Sequence, residues 1–131
     1  MQKQLEVENN LGDHEFINLI TFTSKGIPKS TTLWFSFDKL TQKIFINTFS
    51  DSRKVARLNN TRFVQLSPSD ATGNELGEYV DGTARILTDF EERFYADLIL
   101  EKKYKKAYRQ MVGKPVYDFD RVFIEITLKD E

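Results

Sequence analysis

The sequence predicts a mainly β protein: a six-stranded antiparallel sheet closing into a small barrel with flanking helices, formed by residues 1–131 as a single domain. Three observations lead there. Short β-branched and aromatic runs alternate apolar with polar residues at period two. Tight turns join consecutive runs, where parallel strands would need long crossovers. A chain of 131 residues that is 40% apolar can build one core.

The run Phe16–Thr23 is β-branched and aromatic and ends in the turn Ser24-Lys25-Gly26, so it reads as a strand entering a hairpin. In Thr31–Phe37, Leu33, Phe35 and Phe37 alternate with Thr32, Trp34 and Ser36. Asp38 to Gln42 turns the chain into a third strand, Ile44–Phe49, which completes a meander. Ser50-Asp51-Ser52 then offers N-cap chemistry, and Arg53–Asn59 reads as a short helix with Val55 and Leu58 inward. A fourth strand spans Phe63–Leu66, and Ser67–Gly77 is a loop by composition. A fifth runs from Tyr79 to Leu87 with Val80, Gly82, Ala84 and Ile86 on one face. Thr88-Asp89-Phe90-Glu91 reads as a capping box that opens a helix to Met111, with Phe90, Phe94 and Leu98 as its inward face. Gly113-Lys114-Pro115 ends that helix, and Val122–Leu128 is the last strand. A short leading helix is expected over residues 2–10, stopped at Gly12.

Composition excludes several kinds of function. With no cysteine there is no disulfide framework, thiolate metal site or cysteine nucleophile. The single histidine, His14, rules out a multi-imidazole zinc site, and no Gly-x-Ser-x-Gly turn presents a hydrolase serine. A formal net charge of -1 argues against a dedicated nucleic-acid binder. The N-terminus carries no apolar run of a signal peptide, and no stretch approaches ~18 apolar residues, so a cytoplasmic protein outside membranes is expected.

One segment gathers binding chemistry. Around Thr48–Arg57 a strand ends, a turn rich in hydroxyl and carboxylate groups follows, and a helix begins with free N–H groups and a positive dipole end. Arg53, Lys54 and Arg57 are spaced to reach one side, and Ser50 and Ser52 add hydroxyls. Two readings stand on geometry alone: a phosphate cradle, or a solvated basic helix capped by Asp51. Cations in a first turn oppose the helix dipole, a conflict that a bound anion would remove.

The sequence resembles the pyridoxamine-phosphate-oxidase-like FMN-binding split-barrel superfamily, and within it the small single-domain proteins described as deazaflavin (coenzyme F-420)- or FMN-dependent reductases. The resemblance runs over about residues 13–128. It is carried by Leu19-Ile20-Thr21-Phe22, Lys25-Gly26-Ile27-Pro28, Leu33-Trp34-Phe35, Ser52–Asn60, Phe63-Val64-Gln65-Leu66 and Tyr79–Arg85, in that order and spacing. It implies a homodimer with the cofactor at the subunit interface. Ser52, Arg53 and Lys54 would hold the phosphate, with Arg57 as a helper. Thr31, Thr32, Leu33 and Trp34 would run along the ring, and Ile46, Asn47 and Thr48 would contact the same ring system. No catalytic residue and no metal are implied, because hydride transfer to or from a small organic substrate takes place on the FMN or F-420 ring. The alternative is a flavin- or haem-binding store or sensor without turnover.

The sequence also departs from the pattern. Lys25-Gly26 stands for the usual Asp-Gly turn, Thr32-Leu33 for Pro-Val, and Asn59-Asn60-Thr61 for Asn-Asn-Pro. The Arg-bearing C-terminal substrate motif is not found, so oxidation of vitamin B6 phosphates is not expected. Trp34 is read either as a cofactor stack or as a subunit contact. His14 is expected to be exposed and idle. The basic, tyrosine-interleaved run Lys102–Arg109 is expected to be a solvated helix end.

Overall fold

The computed structural model describes residues 11, 12 and 14–129, and the leading helix expected over 2–10 lies outside them. The elements are β1 (Phe16–Phe22), β2 (Pro28–Trp34), β3 (Ser36–Asp38), β4 (Lys43–Phe49), α1 (Arg53–Asn60), β5 (Phe63–Ser69), β6 (Val80–Leu87), α2 (Phe90–Tyr104), α3 (Lys106–Val112), a 3-10 turn (Pro115–Tyr117) and β7 (Arg121–Leu128). The strands form one antiparallel sheet in the order β2-β1-β5-β6-β7-β4-β3.

Seven strands form where six were expected, because the run Thr31–Phe37 divides at Phe35. Residues up to Trp34 pair with β1, and residues from Ser36 pair with β4, at the far edge of the sheet. The two edge strands are thus neighbours in sequence, and the sheet must curl until its edges meet. Phe35, fully buried, sits at that bend.

Period two along the strands sorts side chains into two cores. Inside the curl lie Ile17, Leu19, Ile44, Ile46, Val64, Leu66, Ala84, Ile124 and Ile126. Outside it, Phe45, Leu87 and Phe123 pack with Ala96, Leu100 and Tyr108 of the helices. Gly82 belongs to the inner face expected for β6: a Cβ there would stand 2.8 Å from Ile126 Cγ2 and 3.1 Å from the Thr127 carbonyl oxygen. No larger residue fits without moving the neighbouring strand.

Three further expectations are corrected. β5 continues past Leu66 to Ser69, because Ser67, Pro68 and Ser69 pair with Asn18, Ile17 and Phe16. The β5–β6 ladder has ended by then, so Pro68 sits where a missing N–H is tolerated. The N-cap of α2 is Asp89 rather than Thr88, and its carboxylate accepts from the Glu92 N–H at 3.2 Å. The expected single helix breaks at Lys105, whose φ of 56° takes the backbone out of the helical region.

The face of α2 is also turned. Phe90, Phe94 and Leu98 are 50%, 44% and 43% exposed, while Arg93, Ala96, Asp97 and Leu100 point inward. Two charged residues occupy that inner stripe because each finds several partners there, although the buried Arg93 Nε has none among the described residues. The Arg93 guanidinium donates to the carbonyls of Arg121, Pro115, Val116 and Asp118, and Asp97 accepts from Tyr108 and Arg109. A hydrophobic period could not reveal a core stripe built from paired charges.

Candidate cofactor-binding site

α1 lies across one mouth of the barrel, with Val55 and Leu58 buried beneath it. Its N-cap is Ser52, with φ -69° and ψ 152°, and the Ser52 side chain makes no capping hydrogen bond. Asp51 is exposed and does not cap the helix. No acidic residue stands in the first turn, so the positive end of the helix dipole is uncompensated.

Two cations extend from α1 toward strand ends. Lys54 Nζ donates to Thr48 Oγ1 of β4 at 3.0 Å, and Arg57 Nε donates to Thr21 Oγ1 of β1 at 2.6 Å. Both acceptors are buried, neutral hydroxyls. Among the described residues, neither cation forms a salt bridge. Burial pushes the Lys54 ammonium below its ordinary pKa, and the nearby Arg57 charge adds to the effect. The Ser52 hydroxyl oxygen is closed off from water and has no partner among the described residues. The mouth therefore brings together two cations without carboxylates, a helix N-terminus and an orphaned hydroxyl. A phosphate monoester would satisfy all of them, so the residues present fit the phosphate end of a flavin-type cofactor.

The sequence-predicted residues divide around this mouth. Lys54, Arg57, Thr48 and Ser52 come together there. Arg53 is exposed and does not share the Lys54–Arg57 arrangement. On β2, Thr31 and Leu33 pair with Leu19 and Ile17 on the barrel side, and Thr32 and Trp34 take the opposite face. Thr32 Oγ1 donates to Asn18 Oδ1 at 2.8 Å, and Asn18 Nδ2 donates to the Gly73 carbonyl at 2.9 Å. Trp34 stacks on Tyr104 with ring centroids 4.4 Å apart and 8° between planes. One face of the indole thus has a partner within the chain. Ile46 is fully buried in the barrel, which leaves only its backbone to meet a ligand. Asn47 lies on the outer face of β4, and its Nδ2 donates to Tyr108 Oη at 3.2 Å. His14 is partly buried, and its carbonyl accepts from Lys103 Nζ at 2.6 Å.

Sequence reasoning missed Thr21, Asp97 and Tyr108. Thr21 carried a faint signal, as the one polar residue in the inward series Ile17, Leu19, Thr21. Tyr108 belongs to the run expected to be solvated, yet it is 2% exposed, and Tyr104 is partly buried against Trp34. Lys102, Lys105 and Lys106 of the same run are exposed as expected.

A curled antiparallel sheet, with its edge strands joined by a bend and helices on its flank, defines a split-barrel protein. The chain belongs to the pyridoxamine 5'-phosphate oxidase family, whose sequence profile matches residues 4–130. Solved structures share the fold over nearly the whole chain. An F420 reductase is 22% identical, with 94% of this chain and 93% of that one covered and a TM-score of 0.64. HutZ, the haem storage protein of Vibrio cholerae, is 12% identical over 97% of this chain and 90% of that one, with a TM-score of 0.73. A conserved hypothetical protein from Mycobacterium tuberculosis is 19% identical over 96% and 80%, with a TM-score of 0.72. No curated protein matches the sequence. Among the described residues, no helix is long and apolar enough to cross a membrane.

Proposed function

We propose that this protein is an oxidoreductase that uses FMN, or the deazaflavin coenzyme F-420, bound at the interface of a cytoplasmic homodimer. The observation that carries the reading is the pair of cations, Lys54 and Arg57, held over the barrel mouth by neutral hydroxyls beside the unpartnered Ser52 hydroxyl. Lys54, Arg57 and Ser52 hold the phosphate, and Arg53 supplies outer charge. The strand segments Thr31–Trp34 and Ile46–Thr48 flank the ring. When bound, such a ring supplies hydride transfer with a small organic molecule. Family membership and the likeness to an F420 reductase support this reading.

The outward apolar groups support a second copy. Phe90 packs on Phe94 and on Tyr117, which is 66% exposed, so these rings form an outward aromatic patch of the kind that marks an interaction site.

The test is the visible spectrum of the purified protein, followed by titration with FMN and with the deazaflavin, with molar mass read by light scattering. A two-band flavin spectrum, or saturable binding of either compound by a dimer, is the expected result. Reduction of the bound cofactor followed by faster reoxidation with added organic acceptors would establish turnover. A Soret band would replace the reading with haem storage. A colourless protein that binds neither compound would overturn it.

A further inference from the structure

On the flank of the sheet, away from the cation pair, lies a chain of polar groups. Asn47 Nδ2 donates to Tyr108 Oη at 3.2 Å, and the Tyr108 hydroxyl donates to Asp97 Oδ1 at 2.7 Å. Asp97 is 4% exposed and also meets Arg109, with 2.7 Å between Nη2 and Oδ2. Between them, Tyr108 and Arg109 use both oxygens of the Asp97 carboxylate as acceptors. The Tyr108 proton is therefore committed to Asp97. Burial pushes the Tyr108 hydroxyl well above its ordinary pKa, which keeps that proton in place.

The consequence falls on Asn47. The Tyr108 oxygen faces it with a lone pair, and only the NH2 side of a carboxamide can meet a lone pair. The amide is thus oriented, with Nδ2 toward Tyr108 and Oδ1 away from it. Oδ1 is shut off from water and has no partner among the described residues. A buried acceptor left this way offers a place for a donor from a ligand seated against β4. Asn47 is itself partly exposed and stands next to Thr48, whose hydroxyl meets Lys54.

We propose that Asp97 and Tyr108 are positioning residues that hold Asn47 Oδ1 as the acceptor for a ring N–H of the bound cofactor. The site then selects rings whose pyrimidine edge carries an imide N–H, as FMN and the deazaflavin do, over ligands without such a donor. This rests on the flavin or deazaflavin reading given above.

The experiment compares FMN with N3-methyl-FMN, which lacks the donor, by fluorescence titration of the wild type, Asn47→Ala and Tyr108→Phe. The wild type is expected to bind FMN about threefold to tenfold more tightly than the methylated analogue. In Asn47→Ala that ratio falls to unity. In Tyr108→Phe, which keeps the ring in the core, it falls because the amide is free to turn. A purely structural role for Tyr108 would weaken both ligands alike and leave the ratio in place. The inference is overturned if the wild type binds both compounds equally, or if Asn47→Ala keeps the preference. In both of those cases FMN still binds, so the oxidoreductase reading survives. A wild type that binds neither compound overturns both.

Discussion

The barrel mouth and the helical flank hold the same kinds of charged residue in opposite circumstances. On the flank, Arg85, Arg93 and Arg109 each have anionic or carbonyl partners. Arg109 lies between Asp97 and Glu101, Arg85 meets Glu92 and Glu125, and Arg93 donates to four backbone carbonyls. At the mouth, among the described residues, Lys54 and Arg57 meet only the hydroxyls of Thr48 and Thr21. The flank is electrostatically closed, so its charges hold the fold together. The mouth is electrostatically open, so its charges hold something else. Arrangements that lower folding stability persist where binding uses them.

The sharpest way to break this comparison is to remove one member from each side. Asp97→Ala leaves the buried Tyr108 hydroxyl without its acceptor, and Arg109 with only Glu101 and the Gly113 carbonyl. It should cost about 3 kcal/mol, near the lower end for a broken buried pair because Arg109 keeps some solvent contact. The urea midpoint reads this directly. Lys54→Ala removes a desolvated cation with no carboxylate partner and should change that midpoint little. Equal losses from the two substitutions would make the mouth a structural feature.

The next effect is on affinity. Lys54→Ala and Arg57→Ala each delete a charge-assisted phosphate contact of about 1.5–3 kcal/mol, so FMN affinity should fall about tenfold or more in each. Arg53→Ala, at an exposed position, should cost less than either. If Arg53→Ala proves the most damaging of the three in calorimetric titration, the phosphate lies outside the mouth.

The surface network around Arg85 should matter less. Its side chain is 47% exposed and that of Glu92 is 39% exposed. Arg85→Ala should therefore lower stability by about 1 kcal/mol or less, and added salt should shrink the difference in thermal unfolding.

The smallest effect is a pH slope. The Lys54 pKa is lower in the folded chain than the ordinary lysine value of 10.5, through burial and then the Arg57 charge. Between the folded value and 10.5, the unfolded chain binds a proton that the folded chain does not. Stability of the cofactor-free protein should therefore rise with pH across that window. Lys54→Met should remove this rise. A bound phosphate should reduce it too, by favouring the charged ammonium. Thermal unfolding at a series of alkaline pH values, wild type against variant, measures the difference.

The mouth was more legible in the sequence than the flank, and the reason is locality. Ser52, Lys54 and Arg57 belong to one turn and the helix it starts, so their spacing alone brings Lys54 and Arg57 together. Thr21 joins them from another strand, more than thirty residues earlier in the chain, and spacing could not place it. On the flank, Asp97, Tyr108 and Asn47 come from two helices and a strand. Asp97 and Tyr108 read individually as ordinary surface residues, Asn47 is marked only through the resemblance, and only their meeting makes them a network. The same effect misplaced the inward face of α2. Phe90, Phe94 and Leu98 have the right period for a core, yet Arg93 and Asp97 took that position because carbonyls and a guanidinium from later segments satisfied them.

By itself, the sequence determined the strand-forming runs, the helix that starts at Ser52, the barrel class and the basic turn at its mouth. These follow from period-two alternation, turn residues and capping chemistry, all of which act between near neighbours. Tertiary structure alone decided that the run at Phe35 divides between the two edges of the sheet, which face of α2 is buried, and that Asn47 keeps one acceptor free. Each of those outcomes depends on the partner that the rest of the chain brings to a group. A residue's environment, unlike its backbone preference, is supplied by segments far away in the sequence.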